Sequence, residues 1–446
     1  MPELLRTLRL RDLLLLFIGS VIGSGIFRTP GPILRQVGGS VGLSLLVWLV
    51  GGVLSLLGAL TYAELAAANP EAGGLYCYIR DGFGRLTAFL YGWCLFLVIA
   101  SGSVAALARV FSEYLATVLP ISPAGQTLVA VVMIAIVTAV NVWGTRRSSD
   151  LQNWTTLIKV GIIVLLSAFL LTLGHHGRDL PPAFGAVQHG FGLWSNFGLA
   201  MIMVLWAYEG WQFGTYSAGE VVDPQKAFPR AFLMGSLILV GLYLVVVAYL
   251  FALGPDAMAK SSAIAATSVT AVLGPWAGKI VALTILISTF SAANSVILTA
   301  PRVFYAMAND KLFFKRLAEV HPRFATPAPA IIGLGVWSAV LVCAGELGTF
   351  SKLIEGVIFI GWIFYGLGAA AIFPIRRGSA GRPIPYRVPG YPWTPFLFVL
   401  VAAVIVGNAI YLAFRDPDQF KNLIAAVVLF ACGLPAYLFW RKRAAS

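Results

Sequence analysis

The most chemically available atoms in this 446-residue chain are main-chain groups rather than side-chain nucleophiles. In Gly19-Ser20-Val21-Ile22-Gly23-Ser24-Gly25-Ile26-Phe27, three glycines and two serines interrupt an apolar run that would otherwise continue as helix. Each interior glycine costs a helix about 0.5–1 kcal/mol relative to alanine. An opened turn frees N–H and C=O groups, which lipid tolerates only inside protein or beside a water-filled cavity. Freed amides suit a carboxylate and freed carbonyls suit an ammonium, so the chemistry on offer is reversible capture of a zwitterion. The competing reading is a Gly19-xxx-Gly23 face that merely lets two spans pack closely. A second interruption lies in Trp206-Ala207-Tyr208-Glu209-Gly210-Trp211-Gln212-Phe213-Gly214, with an acid and two glycines in mid-span. Interrupted segments at matching positions of two halves point to a transport site and favour the cavity reading.

Three side chains add to these breaks. Lys159 lies in an otherwise apolar fifth span, where an ammonium costs about 2.5–3.5 kcal/mol and should face protein or water. The alternative is snorkelling toward the nearby Arg146-Arg147 loop. An internal Lys159 could occupy the place of a sodium ion, or change charge on burial. Glu209 is an intramembrane acid and so a functional candidate, or else a residue at a helix break that supplies only its carbonyl. Trp206 directly precedes the second break and could close over a solute, or be an ordinary core or lipid-facing tryptophan. Asn294 and Trp362 are further candidates for lining the pocket. Arg109 and Glu113, four apart on one helix face, read as a structural ion pair. Glu64, Glu220, Asp223, Lys226 and Arg230 read as gate contacts at the inner surface or as a solvated rim. No nucleophile–base pairing, phosphate loop or metal spacing is present, so no catalytic residue, cofactor or metal is expected.

Positioning these groups requires a membrane. The composition is 59% hydrophobic and 11% charged, which no soluble globular class matches. Runs long enough to cross about 30 Å of hydrocarbon fall at 12–34, 41–68, 86–119, 126–142, 154–173, 192–216, 231–253, 276–300, 329–345, 353–374, 395–414 and 422–440. The all-α expectation is therefore twelve transmembrane helices. The net charge of +13 does not imply nucleic acid, because the inner segments hold 21 of the 31 Lys and Arg residues. That bias puts both termini in the cytoplasm, with residues 1–11 and 441–446 as short tails. The stretch 260–274 reads as a short external helix. The four cysteines show no disulfide or metal spacing.

Several stretches together carry a family likeness. They are Ile18-Gly19-Ser20-Val21-Ile22-Gly23-Ser24-Gly25-Ile26-Phe27, Tyr62-Ala63-Glu64-Leu65 with Gly73-Gly74-Leu75-Tyr76, and Trp206-Ala207-Tyr208-Glu209-Gly210-Trp211. Asp223-Pro224-Gln225-Lys226-Ala227-Phe228-Pro229-Arg230, Ser288-Thr289-Phe290 leading into Arg302-Val303-Phe304, and Pro389-Gly390-Tyr391-Pro392 follow in order. The chain resembles amino acid–polyamine–organocation transporters, in particular a bacterial branch like the L-type amino acid transporters. The resemblance implies a LeuT-type fold: a 12–374 core of two inverted five-helix repeats (12–173 and 192–374), plus two further helices in 395–440. It implies that the amides of Ser24, Gly25 and Ile26 take a substrate carboxylate. It also implies that the carbonyls of Val21, Trp206 and Glu209 take the amine, and that Trp206 is the gate. Lys159 matches a fifth-span lysine that stands where sodium-coupled relatives hold an ion, linking the broken first helix to the eighth. Two departures stand out. Position 209 is often glycine in such transporters. The 119–126 loop lacks the cysteine by which animal light chains bind a heavy subunit, so no disulfide-linked partner is expected.

The expected function is thus sodium-independent exchange of neutral L-amino acids across the plasma membrane, by zwitterion capture, closure of Trp206 and rocking of a helix bundle. The alternatives are a proton-coupled symporter, a carrier of cationic amino acids and, from another class, an amino acid sensor. Beyond its amino acid substrates and the lipid bilayer, no nucleic acid partner is implied.

Overall fold

The computed structural model describes residues 4–175, 191–261, 263–344, 350–378, 384–415 and 417–445. Residues 1–3 of the expected N-terminal tail and most of the link between the two expected halves, 176–190, lie outside them. The only β feature among the described residues is an isolated bridge between Leu8 and Val221. The chain begins with α1 (Leu10–Val21), α2 (Gly25–Arg28), α3 (Pro30–Gln36), α4 (Val41–Ala68) and α5 (Leu75–Phe83). Then come α6 (Arg85–Cys94), a π-helical turn (Leu95–Ile99), α7 (Ala100–Ala116), α8 (Pro123–Val142) and α9 (Thr145–Leu173). Next are α10 (Phe191–Ala207), a 3-10 segment (Trp211–Glu220), α11 (Pro224–Tyr243), α12 (Val245–Lys260) and α13 (Ile264–Leu273). The remainder is α14 (Ala277–Thr299), α15 (Pro301–Asn309), α16 (Ala328–Cys343), α17 (Phe350–Ala370), α18 (Ile372–Gly378), α19 (Trp393–Ala413) and α20 (Pro417–Ala445).

Local chemistry sets several of these ends. The Ser40 hydroxyl accepts from Leu43 N–H at the start of α4, and Ser122 caps α8 with Pro123 at its first position. Asp223 at φ 49° followed by Pro224 turns the chain into α11, seven residues before the apolar run begins at 231. The 260–274 stretch contains α13, a short helix as expected.

Ten helical stretches among the described residues are long and apolar enough to cross a membrane. The expected sixth and ninth spans are the two that fall short. The sixth stops at Ala207 because the helix breaks there, and the ninth is the 16-residue α16. The most enclosed stretches are Leu10–Arg28 and Ala277–Asn309, each 78% buried within its apolar window, whereas Leu423–Arg443 is 17% buried. The first and eighth spans therefore form the axis, packed on each other and on α9, while α20 lies at the lipid-facing margin.

One expected pair does not form. Arg109 turns away from Glu113 and donates to Thr127 Oγ1 at 3.1 Å and to the Val342 carbonyl. Glu113 instead meets Arg28 at 3.4 Å. Tertiary acceptors on α8 and α16 outcompete an i,i+4 partner worth only about 0.2–0.5 kcal/mol.

Candidate binding site at the two helix breaks

The first break opens where the glycines predict. Ile22 N–H still closes on Ile18 O at 3.0 Å, but Gly23 N–H folds back to Val21 O at 2.8 Å. That contact withdraws Gly23 from Gly19 O, its acceptor in a continuous helix. Lys159 replaces it: Nζ donates to Gly19 O and to Ile22 O, each at 2.6 Å, and the residue is fully buried. Lys159 is therefore internal and does not snorkel. Ser288 on α14 donates to Ile22 O at 3.0 Å and Gly23 O at 2.9 Å. The tie from the first break to the eighth span thus runs through Ser288, which shares the Ile22 carbonyl with Lys159.

On the other side of the break, the N–H groups of Ser24, Gly25 and Ile26 begin a new helix and meet no acceptor among the described residues. Ser24 is 1% exposed, and its hydroxyl oxygen is buried without a partner. Three backbone donors and one hydroxyl thus stand unmatched on three consecutive buried residues, a pattern suited to an oxyanion.

The second break is built by Gly210, whose φ of 122° an L side chain rarely adopts. Glu209 is buried, and its Oε1 accepts from Tyr365 OH and from Gln212 Nε2, both at 2.6 Å. Trp206 is partly buried against the core, and its carbonyl accepts Glu209 N–H at 3.1 Å. Trp362 packs beside Tyr365 with its indole nitrogen buried and unpaired.

The two breaks lie against each other. A Cβ on Gly25 would come within 2.8 Å of Ala207 Cα, and one on Gly210 within 2.7 Å of Ser20 O. Tyr243 on α11 spans both, donating to Ala207 O at 2.6 Å and to Val21 O at 3.3 Å. Ser20 adds a bond from its hydroxyl to Gly210 O at 3.0 Å. Alanine at Gly25 must push these backbones apart, at a cost of about 1–3 kcal/mol for overpacking. Gly25→Ala is therefore expected to lower apparent ligand affinity about tenfold while the protein stays folded. The concentration dependence of labelled-ligand binding to monodisperse protein reads this; an unchanged curve would count against the site.

Of the three carbonyls expected to face an amine, Val21 and Trp206 already accept internal bonds, and only that of Glu209 meets no donor among the described residues. Asn294 does not line the site. Its side chain is consumed by Asn141, Ser148 and Gln152 in a buried amide network toward α8 and α9. Ser20, Ser288, Gln212, Tyr243 and Tyr365 carry no assignment from the sequence, although Ser20 and Ser288 lie in stretches that carry the family likeness.

Below the breaks, at the end of the bundle that carries Leu8, two of the acids expected as gate contacts or a solvated rim, Glu220 and Glu64, are enclosed, while Asp223, Lys226 and Arg230 are exposed. Glu220 is held by Arg302 Nε at 2.6 Å and Nη2 at 3.1 Å and by Thr145 Oγ1 at 2.8 Å. Its main-chain oxygen accepts Thr7 and Leu8 N–H, both at 2.9 Å. Asp12, also buried, takes Arg146 at 2.9 Å and Asn153 at 2.7 Å. Glu64 is chelated by Arg376 at 2.6 Å through both oxygens and receives Val388 N–H. A neighbouring cluster joins Arg80 to Glu71, Asp81 and Asp310. In it, burial pushes the Tyr76 phenol and the Cys77 thiol well above their ordinary ranges. Tyr76 therefore stays a neutral donor to Asp310 at 2.8 Å.

The family model for amino acid permeases matches residues 8–432. The serine/threonine exchanger SteT of Bacillus subtilis is 31% identical over 97% of this chain and 96% of its own length. The large neutral amino acids transporter small subunit 2 of Homo sapiens is 32% identical over 84% of this chain and 70% of its own. The b(0,+)-type amino acid transporter 1 of Mus musculus is 30% identical over 95% and 86%.

Proposed function

Because the chain belongs to the amino acid permease family, we propose that it is a sodium-independent exchanger of neutral L-amino acids working by alternating access. The observation that carries this reading is the pairing of unmatched donors at Ser24, Gly25 and Ile26 with the Glu209 carbonyl across a contact between two broken helices. The carboxylate binds at the first break and the ammonium near the second, where the Glu209 carbonyl is at hand beside those of Val21 and Trp206. Trp206 covers the bound solute. Lys159 supplies the fixed positive charge that a sodium ion would otherwise bring to the opened carbonyls, which supports transport without sodium. Residues 12–173 and 192–374 act as two inverted five-helix repeats, with 395–440 as two accessory spans. Both termini face the cytoplasm, as the basic inner loops support. The enclosed acids around Glu220 then seal the cytoplasmic side. No disulfide-linked heavy subunit is required, since 119–126 offers no cysteine.

Purified protein in sodium-free liposomes, loaded or not with unlabelled amino acids, tests the proposal. Uptake of labelled serine, threonine, leucine or alanine only into loaded vesicles is the expected result. Uptake into empty vesicles driven by an imposed proton gradient would replace exchange with proton coupling, for which buried Glu209 is the candidate carrier. Binding without uptake in any vesicle would make the chain a sensor.

A further inference from the structure

A cavity of about 310 Å³ opens at the Leu8 end of the bundle, apart from the two helix breaks. Its wall combines Thr7 of the N-terminal segment, Trp143, Arg146 and Arg147 around the start of α9, and Arg323 of the loop before α16. No acidic side chain lines it. Arg146 is neutralised outside the cavity by Asp12 at 2.9 Å and Asp150 at 2.7 Å. Arg147 and Arg323 meet no carboxylate among the described residues, and Arg323 rests only over the Phe324 ring at 5.5 Å. The Thr7 hydroxyl oxygen is buried and unpartnered.

Two guanidinium groups facing one concavity without a counter-charge repel each other, and the cost falls when an anion enters. Planar guanidinium donors match a tetrahedral oxyanion with several acceptor oxygens, and a hydroxyl donor in the same wall completes the set. We propose that this cavity binds a phosphate-bearing anion, the chemistry shared by an acidic phospholipid headgroup and a free phosphomonoester. The site joins the N-terminal segment, α9 and the loop before α16. The first two of these, the N-terminal segment that leads into Asp12 of α1 and α9 that carries Arg146, must separate if Asp12–Arg146 is to break. A bound anion therefore holds this end of the molecule shut. The closing effect rests on the alternating-access reading above; the binding itself does not.

The test uses the full chain and the double substitution Arg147→Gln with Arg323→Gln, which leaves the helix breaks and the Glu220 contacts untouched. Native mass spectrometry reads retention of phosphatidylglycerol against phosphatidylcholine, and melting with added inorganic phosphate reads the soluble source. Selective adducts or a phosphate-dependent rise in melting temperature, lost in the double variant, is the expected result. Adducts without a phosphate shift assign the lipid headgroup, and the reverse assigns the soluble anion. Equal responses in both proteins, or none in either, would overturn the site. Exchange in phosphatidylcholine vesicles should be several-fold slower once phosphatidylglycerol or internal phosphate is added, in the native chain only. Binding that differs between the proteins while exchange does not would uphold the site and count against the gating reading.

Discussion

Replacing Lys159 with alanine is expected to cut exchange by roughly 10- to 100-fold. The ammonium makes two charged hydrogen bonds at 2.6 Å to carbonyls that the opened first helix no longer satisfies. Bonds to charged groups contribute about 1.5–3 kcal/mol each, and a stranded buried acceptor bears its desolvation cost as well. Ile22 O keeps Ser288, so the larger loss falls on Gly19 O. A loss of about 1.4–2.8 kcal/mol in the competent geometry corresponds to the stated range. Lys159→Met separates charge from volume, because it fills nearly the same space without a donor. Both variants should lose exchange while remaining monodisperse. Full activity in Lys159→Met would reduce the lysine to a space-filling role.

The second large effect is expected at the opposite pole of the same machinery. Arg302→Met leaves the Glu220 carboxylate almost wholly enclosed with only Thr145 as a neutral donor. Breaking a buried pair by removing one partner costs about 3–5 kcal/mol. The protein relieves that cost by letting water reach Glu220, which opens the Leu8 end. A single cysteine placed at Ser288 in a background without native cysteines should then react with a water-soluble maleimide at least tenfold faster from that side. Exchange should fall because the closed state is depopulated. Adding Glu220→Leu removes the stranded charge and should restore much of the closed population, since an apolar replacement of a buried pair is often near neutral. Unchanged labelling in Arg302→Met would show that the pair does not hold this end closed.

Part of this machinery is legible in the sequence. Lys159 was legible because one charge in an apolar run has few places to go, and both breaks were legible because glycine and serine weaken a helix locally. Partners distant in sequence were not. Glu220 and Arg302 lie 82 positions apart, and Glu64 and Arg376 lie 312 apart. Nothing local distinguishes those arginines from the others that follow the positive-inside bias. The hydroxyls that finish the site, Tyr243, Ser288 and Tyr365, were hidden for a different reason. Hydroxyls are cheap inside membrane helices, where they satisfy their own backbone as Thr284 and Thr289 do here. Only packing tells which of them reach across. Arg109 illustrates the opposite failure, a local pairing rule overridden by neighbours from other spans.

The contact of Gly25 with Ala207 and of Gly210 with Ser20 has a mechanical meaning. Each break packs against the other so closely that a single added methyl would meet backbone, which couples the position of one half-helix to that of its counterpart. If the bundle rocks as proposed, the crossing serves as its pivot and the helical segments leading away from it as lever arms. A few degrees of rotation at a pivot moves the far ends by ångströms while the crossing point stays nearly still. On the alternating-access reading proposed above, a solute held at the crossing is not carried across the membrane; the walls swing past it. Enlarging either glycine would lengthen the axle, and the penalty should appear as sluggish turnover even where the ligand still fits.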